Sequence, residues 1–164
     1  NAWYSGFIRG KEVLSISGGY LVCDPEERSD YALIDAGISD AHIQTTAWRQ
    51  TILEGNDAFI FTRWNGSADN VGVFVDNNSN ILAIRDRTGG GDAITSVAYN
   101  PPESTDFVLE AKIIGDSITG IVGENTVEAS VNAETAYTVV GCLPADASGS
   151  AIIVKHNDFK VYSV

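Results

Sequence analysis

Short runs of Val, Ile, Phe and Thr, broken every few residues by Gly, Asn, Asp and Ser, recur along the whole chain. No window of helical length holds an apolar stripe of 3.6-residue period, so the pattern predicts strands. Leu14 to Cys23 is interrupted by Gly18-Gly19, and Tyr31 to Asp35 leads through Gly37 and Asp40 into a long run from Ala41 to Glu54. Asp57 to Trp64 alternates Ala58, Ile60 and Thr62 with Phe59, Phe61 and Arg63, so both faces of that strand are expected to be covered or used. Val71 to Val75 and Asn80 to Arg87 flank Asp76-Asn77-Asn78-Ser79, residues that tolerate the positive φ of a tight hairpin. Asp92 to Tyr99 follows Gly89-Gly90-Gly91, and Pro101-Pro102 interrupts pairing before Thr105 to Ile114. Gly115-Asp116 turns that strand into Ser117 to Val122 and then Thr126 to Val131, a meander. Tyr137 to Leu143, Ala151 to Lys155 and Phe159 to Val164 close the chain, with Lys155 to Asp158 read as a turn and Ala133 to Tyr137 as room for one helical turn.

About a dozen strands at roughly 8 to 12 residue spacing imply an all-β antiparallel sandwich or jelly roll. The 164 residues suit one hydrophobic core, and no repeat or linker divides them, so residues 1–164 are read as a single domain. The start at Asn1 and the absence of Met suggest a piece of a longer chain. No apolar run is long enough for a membrane-spanning helix. The 22 acidic against 10 basic residues give a net charge of -12 spread along the chain, which repels nucleic acid, and no Lys/Arg cluster offsets it. Cys23 and Cys142 are either a disulfide or two buried thiols.

Several segments together resemble the concanavalin A-like jelly rolls of the laminin-G type, as found in secreted bacterial surface proteins and phage tails. They are Tyr31-Ala-Leu-Ile-Asp35-Ala-Gly37-Ile-Ser-Asp40, the strand Phe59-Ile-Phe61-Thr-Arg63-Trp64, the pair Asn70-Val-Gly-Val-Phe74 and Ile81-Leu-Ala-Ile-Arg85, the strand-Gly-strand unit Phe107 to Ile118, Val140-Gly141-Cys-Leu143, and Phe159-Lys-Val161-Tyr. The resemblance spans about Leu14 to Val164 and implies the fold. Sugar-binding, protein-binding and structural members all share that fold, so function must come from the site.

Glycosidases on this fold need two carboxylates facing each other across the scissile bond. Their hydrolase branch carries Glu-x-Asp-x-Glu on a central strand, and no such triplet occurs here. Asp24, Glu26 and Glu27 flank Pro25 in what reads as a loop, no Gly-x-Ser-x-Gly elbow is present, and His42 and His156 lack metal-ligand spacing. The chain is therefore read as a non-enzyme.

Sugar recognition pairs an aromatic face with planar polar groups. Trp48-Arg49 and Arg63-Trp64-Asn65 supply those types, and if their strands pair, the two sets would meet on one sheet. No cofactor is required; structural Ca2+ would suit an acidic β-sandwich, and Asp158 is its first-named ligand. The expected partners are a glycan or cell-surface polysaccharide, with sibling chains in a homotrimer, or other virion proteins, as the assembly alternative. The expected setting is extracellular or virion-associated.

Overall fold

The computed structural model describes residues 14–23, 32–49, 57–64, 70–76, 79–86, 93–131, 139–143 and 154–164. Among them lie thirteen strands: β1 (Leu14–Ser17), β2 (Tyr20–Cys23), β3 (Ala32–Asp35), β4 (Ala41–Arg49), β5 (Asp57–Trp64), β6 (Asn70–Asp76), β7 (Ile81–Asp86), β8 (Ala93–Ala98), β9 (Asp106–Ile114), β10 (Ser117–Val122), β11 (Asn125–Ser130), β12 (Val139–Leu143) and β13 (Val154–Ser163). They form a seven-stranded sheet, β1-β2-β13-β4-β9-β10-β11, and a six-stranded sheet, β3-β12-β5-β6-β7-β8. Every pairing is antiparallel, so the chain is a jelly-roll β-sandwich, as its pattern predicts.

The turns follow from residues able to take positive φ. Gly18 and Gly19, at φ 59° and 86°, join β1 to β2, and Asn80, at φ 51°, closes the β6–β7 loop, where the Ser79 amide donates to Asp76 Oδ1 at 3.1 Å. The core lies between the sheets. Ala41, Ile43 and Ala47 of β4, Leu109, Ala111 and Ile113 of β9, and Ile118 of β10 meet Ile60, Val71, Val73, Val75, Leu82 and Ile84 of the opposing sheet. Gly120 of β10 belongs to this interface: a Cβ there would lie 2.5 Å from Val73 Cγ1, so the missing side chain lets the sheets approach.

Two expectations are corrected. Strands β4 and β5 do not pair: β4 lies between β13 and β9, whereas β5 lies between β12 and β6 in the other sheet. Consecutive strands of a jelly roll often change sheets, because each sheet needs an apolar partner across the core. Lys155 to Asp158 is not a turn. The chain runs through as β13, with a bulge between Asn157 and Lys160 in which Asp158 takes φ 52° and Phe159 packs against the core. His156 is consequently fully buried on the inner face, its Nδ1 3.3 Å from Thr45 Oγ1. Residues 24–31, 50–56, 65–69, 87–92 and 132–138 lie outside the described residues, as do the side chains of Cys23 and Cys142. The disulfide, the Asp24 to Glu27 loop, Gly89 to Gly91 and the helical turn at 133–137 fall there.

Candidate functional site

The outer faces of the two sheets differ in kind. On the six-stranded sheet, Phe59, Phe61, Phe74 and Ala83 point away from the main core yet are buried, forming a second apolar cluster. The rings of Phe59 and Phe74 stack with centroids 5.8 Å apart, and the Arg85 guanidinium lies 4.2 Å from the centre of Phe74. Gly72 makes room for this layer, since a Cβ there would collide with the Phe59 ring. The expectation that both faces of β5 are used is met by packing on each side.

Among the described residues, no element packs over the outer face of the seven-stranded sheet. Strand β4 alternates strictly between buried and half-buried positions, which turns His42, Gln44, Thr46 and Trp48 outward. Strand pairing sets Lys155 of β13 and Asp106 of β9 on either side of Trp48, Asn157 and Val108 beside Thr46, Lys160 and Glu110 beside Gln44, and Tyr162 and Lys112 beside His42. An aromatic group therefore stands at each end of a band of planar or hydroxyl-bearing polar side chains.

At the first end, the Lys155 ammonium lies 4.0 Å from the Trp48 ring centre and 5.1 Å from that of Tyr20. The Tyr20 hydroxyl donates to the Asp106 carboxylate at 2.8 Å, and this bond, with burial behind it, pushes the phenol above its ordinary pKa. At the second end, His42 Nε2 lies 2.6 Å from Glu110 Oε2, and the His42 ring tilts against Tyr162 with centroids 5.7 Å apart.

The sequence-predicted residues part company here. Trp48 is on this face, half-buried. Arg49 is 2% exposed and turns inward, its Nε donating to the Pro102 carbonyl at 3.2 Å and its Nη2 to that of Pro101. Arg63 is also 2% exposed and donates to the Gly115 carbonyl. A bulge between Phe61 and Arg63 puts Arg63 opposite the core residue Val71 instead of on the face of Phe61, which breaks the simple alternation read from the sequence. Burial lowers both guanidinium pKa values from the usual range, while Glu103 and Tyr99 near Arg49, and Asp116 and Asp40 near Arg63, act to raise them. Both arginines thus close the sandwich at opposite ends, and the two Arg/Trp sets do not meet. The side chain of Trp64 and the whole of Asn65 lie outside the described residues. Asp158 sits in the β13 bulge with its carboxylate paired to Lys160, and among the described residues no three of His, Cys, Asp and Glu converge as metal ligands.

The sequence reasoning missed Tyr20, Gln44, Lys155, Asn157 and Tyr162. The polar series His42, Gln44, Thr46 and Trp48 was readable as one face of a strand, but only the sheet order shows which residues flank it.

Two antiparallel sheets of this order, with a buried aromatic cluster on the outer side of one and a polar face on the outer side of the other, form a jelly-roll β-sandwich. No family model matches the chain, and no curated protein sequence does. Among solved structures, it is similar to the carbohydrate-binding module CBM66 from Bacillus subtilis, with TM-score 0.70, 9% identity, and 92% of this chain and 91% of that chain covered. It is similar also to the exoplasmic/lumenal domain of VIP36 in its Ca2+/Man3GlcNAc-bound form, with TM-score 0.69, 13% identity, and coverage of 93% and 81%. The GH43 protein BlXynB from Bacillus licheniformis matches with TM-score 0.68 and 12% identity over 92% of this chain but only 34% of that one. At these identities the likeness is one of fold.

Proposed function

We propose that this domain binds carbohydrate without chemically altering it, using the outer face of the seven-stranded sheet. The observation that carries the reading is the juxtaposition on one sheet face of half-buried Trp48 and exposed Tyr162 with half-buried Gln44, Thr46 and Asn157 between them. Aromatic rings stack on the C–H face of a sugar, and amide and hydroxyl groups pair with its hydroxyls in fixed geometry. The carbohydrate-binding module and the VIP36 domain among the structural neighbours support the reading. The carboxylates of this face are engaged: Asp106 accepts from Tyr20, Glu110 pairs with His42, and Glu128 accepts from Ser117 at 3.0 Å. That arrangement favours binding over acid/base chemistry. The lumenal origin of the VIP36 domain speaks for a secretory or extracellular setting, and none of the comparisons supports attachment to a virion.

A glycan array probed with the intact domain tests this, followed by titration of any positive glycan. Trp48→Ala is expected to weaken binding at least about tenfold, the loss of one stacking contact, with Tyr162→Ala having a smaller effect. A blank array at high protein concentration, or full binding by both variants, would remove the proposal.

A further inference from the structure

We infer that the hydrogen bond between Tyr20 and Asp106 is a clasp that holds Lys155 over Trp48, closing the face at that end, so that a sugar stacks there only once the clasp opens. The inference rests on the carbohydrate-binding reading above and adds a control of access to the same site. It starts from the sheet order. Tyr20 belongs to β2 and Asp106 to β9, and both β13 and β4 lie between those strands. The Tyr20 hydroxyl nevertheless lies 2.8 Å from each carboxylate oxygen of Asp106. At the usual spacing of neighbouring strands, the two backbones are roughly 14 Å apart across the sheet. The bond therefore passes over the outer face of the two strands between.

The residues beside that span are those at the Trp48 end of the polar band. Strand pairing sets Lys155 and Asp106 on either side of Trp48. The Lys155 ammonium lies over the Trp48 ring, 4.0 Å from its centre, and 5.1 Å from the centre of Tyr20. A stacking sugar needs the face of the indole, and on Trp48 that space is taken by the ammonium. An exposed cation–π contact and a hydrogen bond each shift a population by about two- to tenfold. Together they favour the covered arrangement without locking it. A ligand that needs the bare ring meets it only in the open fraction, and its apparent affinity falls by that fraction.

The arm that carries Tyr20 is weakly held. Strands β1 and β2 form a hairpin at the edge of the sheet, turned by Gly18 and Gly19 at φ 59° and 86°. Strand β2 registers with β13 at Leu21 and His156 alone among the described residues, whereas β13 registers with β4 from Val154 to Ser163. Sparsely paired edge elements open at lower free energy than strands inside a sheet. Strand β9, by contrast, is flanked on both sides by β4 and β10. The clasp thus fastens a loosely held hairpin to a firmly held strand, and its release needs no change in the core.

The test is oxidation of the intact domain with N-bromosuccinimide, which attacks accessible indoles, read at Trp48 and Trp64 separately by peptide mass mapping. Trp48 is expected to oxidise about threefold or more faster in Tyr20→Phe, which keeps the ring and removes the bond, and in Lys155→Ala, which removes the cover. Asp106→Ala, which removes the acceptor from the opposite strand, should reproduce the effect. Trp64 should keep the parent rate in all three. For any glycan positive on the array, Tyr20→Phe should bind about two- to fivefold more tightly than the parent. Parent-like oxidation of Trp48 in Tyr20→Phe and Asp106→Ala, or an equal rise at Trp64, would overturn the clasp and leave the carbohydrate-binding reading standing. Weaker glycan binding by Tyr20→Phe would overturn it too, by making Tyr20 a contact of the sugar. Faster oxidation of Trp48 with an array that stays blank would support the clasp and remove the carbohydrate reading.

Discussion

Gly120 and Arg63 show how much single residues hold in this molecule. Gly120 faces Val73 across the core, and an added Cβ would meet Val73 Cγ1 at 2.5 Å and Val127 Cγ1 at 3.1 Å. Gly120→Ala is accordingly expected to destabilise the domain by about 1–3 kcal/mol, the ordinary cost of overpacking, measurable by urea denaturation. Trimming Val73 to Ala in the same chain should recover part of the loss; a double variant no more stable than Gly120→Ala would mean that the cost arises elsewhere. Arg63 teaches the opposite lesson about legibility. Its residue type and its neighbour Trp64 suggest a sugar-binding fork, but the guanidinium is inside, donating to Gly115. One bulged residue in β5 changes the face on which it falls, and a bulge leaves no mark in the apolar pattern.

At the scale of elements, β13 departs furthest from its sequence signal. Lys155-His156-Asn157-Asp158 has the composition of a turn, yet the strand continues because Val154 and His156 fit the core on one side of the bulge and Phe159 on the other. The cost is concentrated at Asp158, in the left-handed region at φ 52°. Asp tolerates that region and a β-branched residue does not, so Asp158→Val should lose about 1–2 kcal/mol, whereas Asp158→Gly should stay near the parent. Equal stability of the two variants by chemical denaturation would count against the bulge. In the sequence the neighbouring β4 reads only as a long run from Ala41 to Glu54; within it Ala41 to Arg49 alternates strictly, and its outward residues form the middle of the candidate site.

For the whole molecule, the two buried arginines make a test of the architecture. Arg49 binds the carbonyls of Pro101 and Pro102 near the start of β9, and Arg63 binds Gly115 at the far end of the same strand. Replacing either by Met should cost about 2 kcal/mol, the value of hydrogen bonds from a charged donor. Because a nine-residue strand separates them, roughly 25–30 Å, the two losses should add within about 0.5 kcal/mol. Strong coupling in the double variant would contradict their placement at opposite ends.

The sequence by itself determined the all-β class and the position of nearly every strand and turn among the described residues. These depend on two-residue alternation and on local φ preferences, which neighbouring residues fix. Only the tertiary structure decided that β4 and β5 lie in different sheets, that Arg49 and Arg63 are interior, and that Tyr20, Trp48, Lys155, Asn157 and Tyr162 share one face. Those outcomes depend on which strands pair across long stretches of chain and on single-residue bulges. Pairing is set by how two apolar faces fit over a common core, and that fit is not written in any one segment.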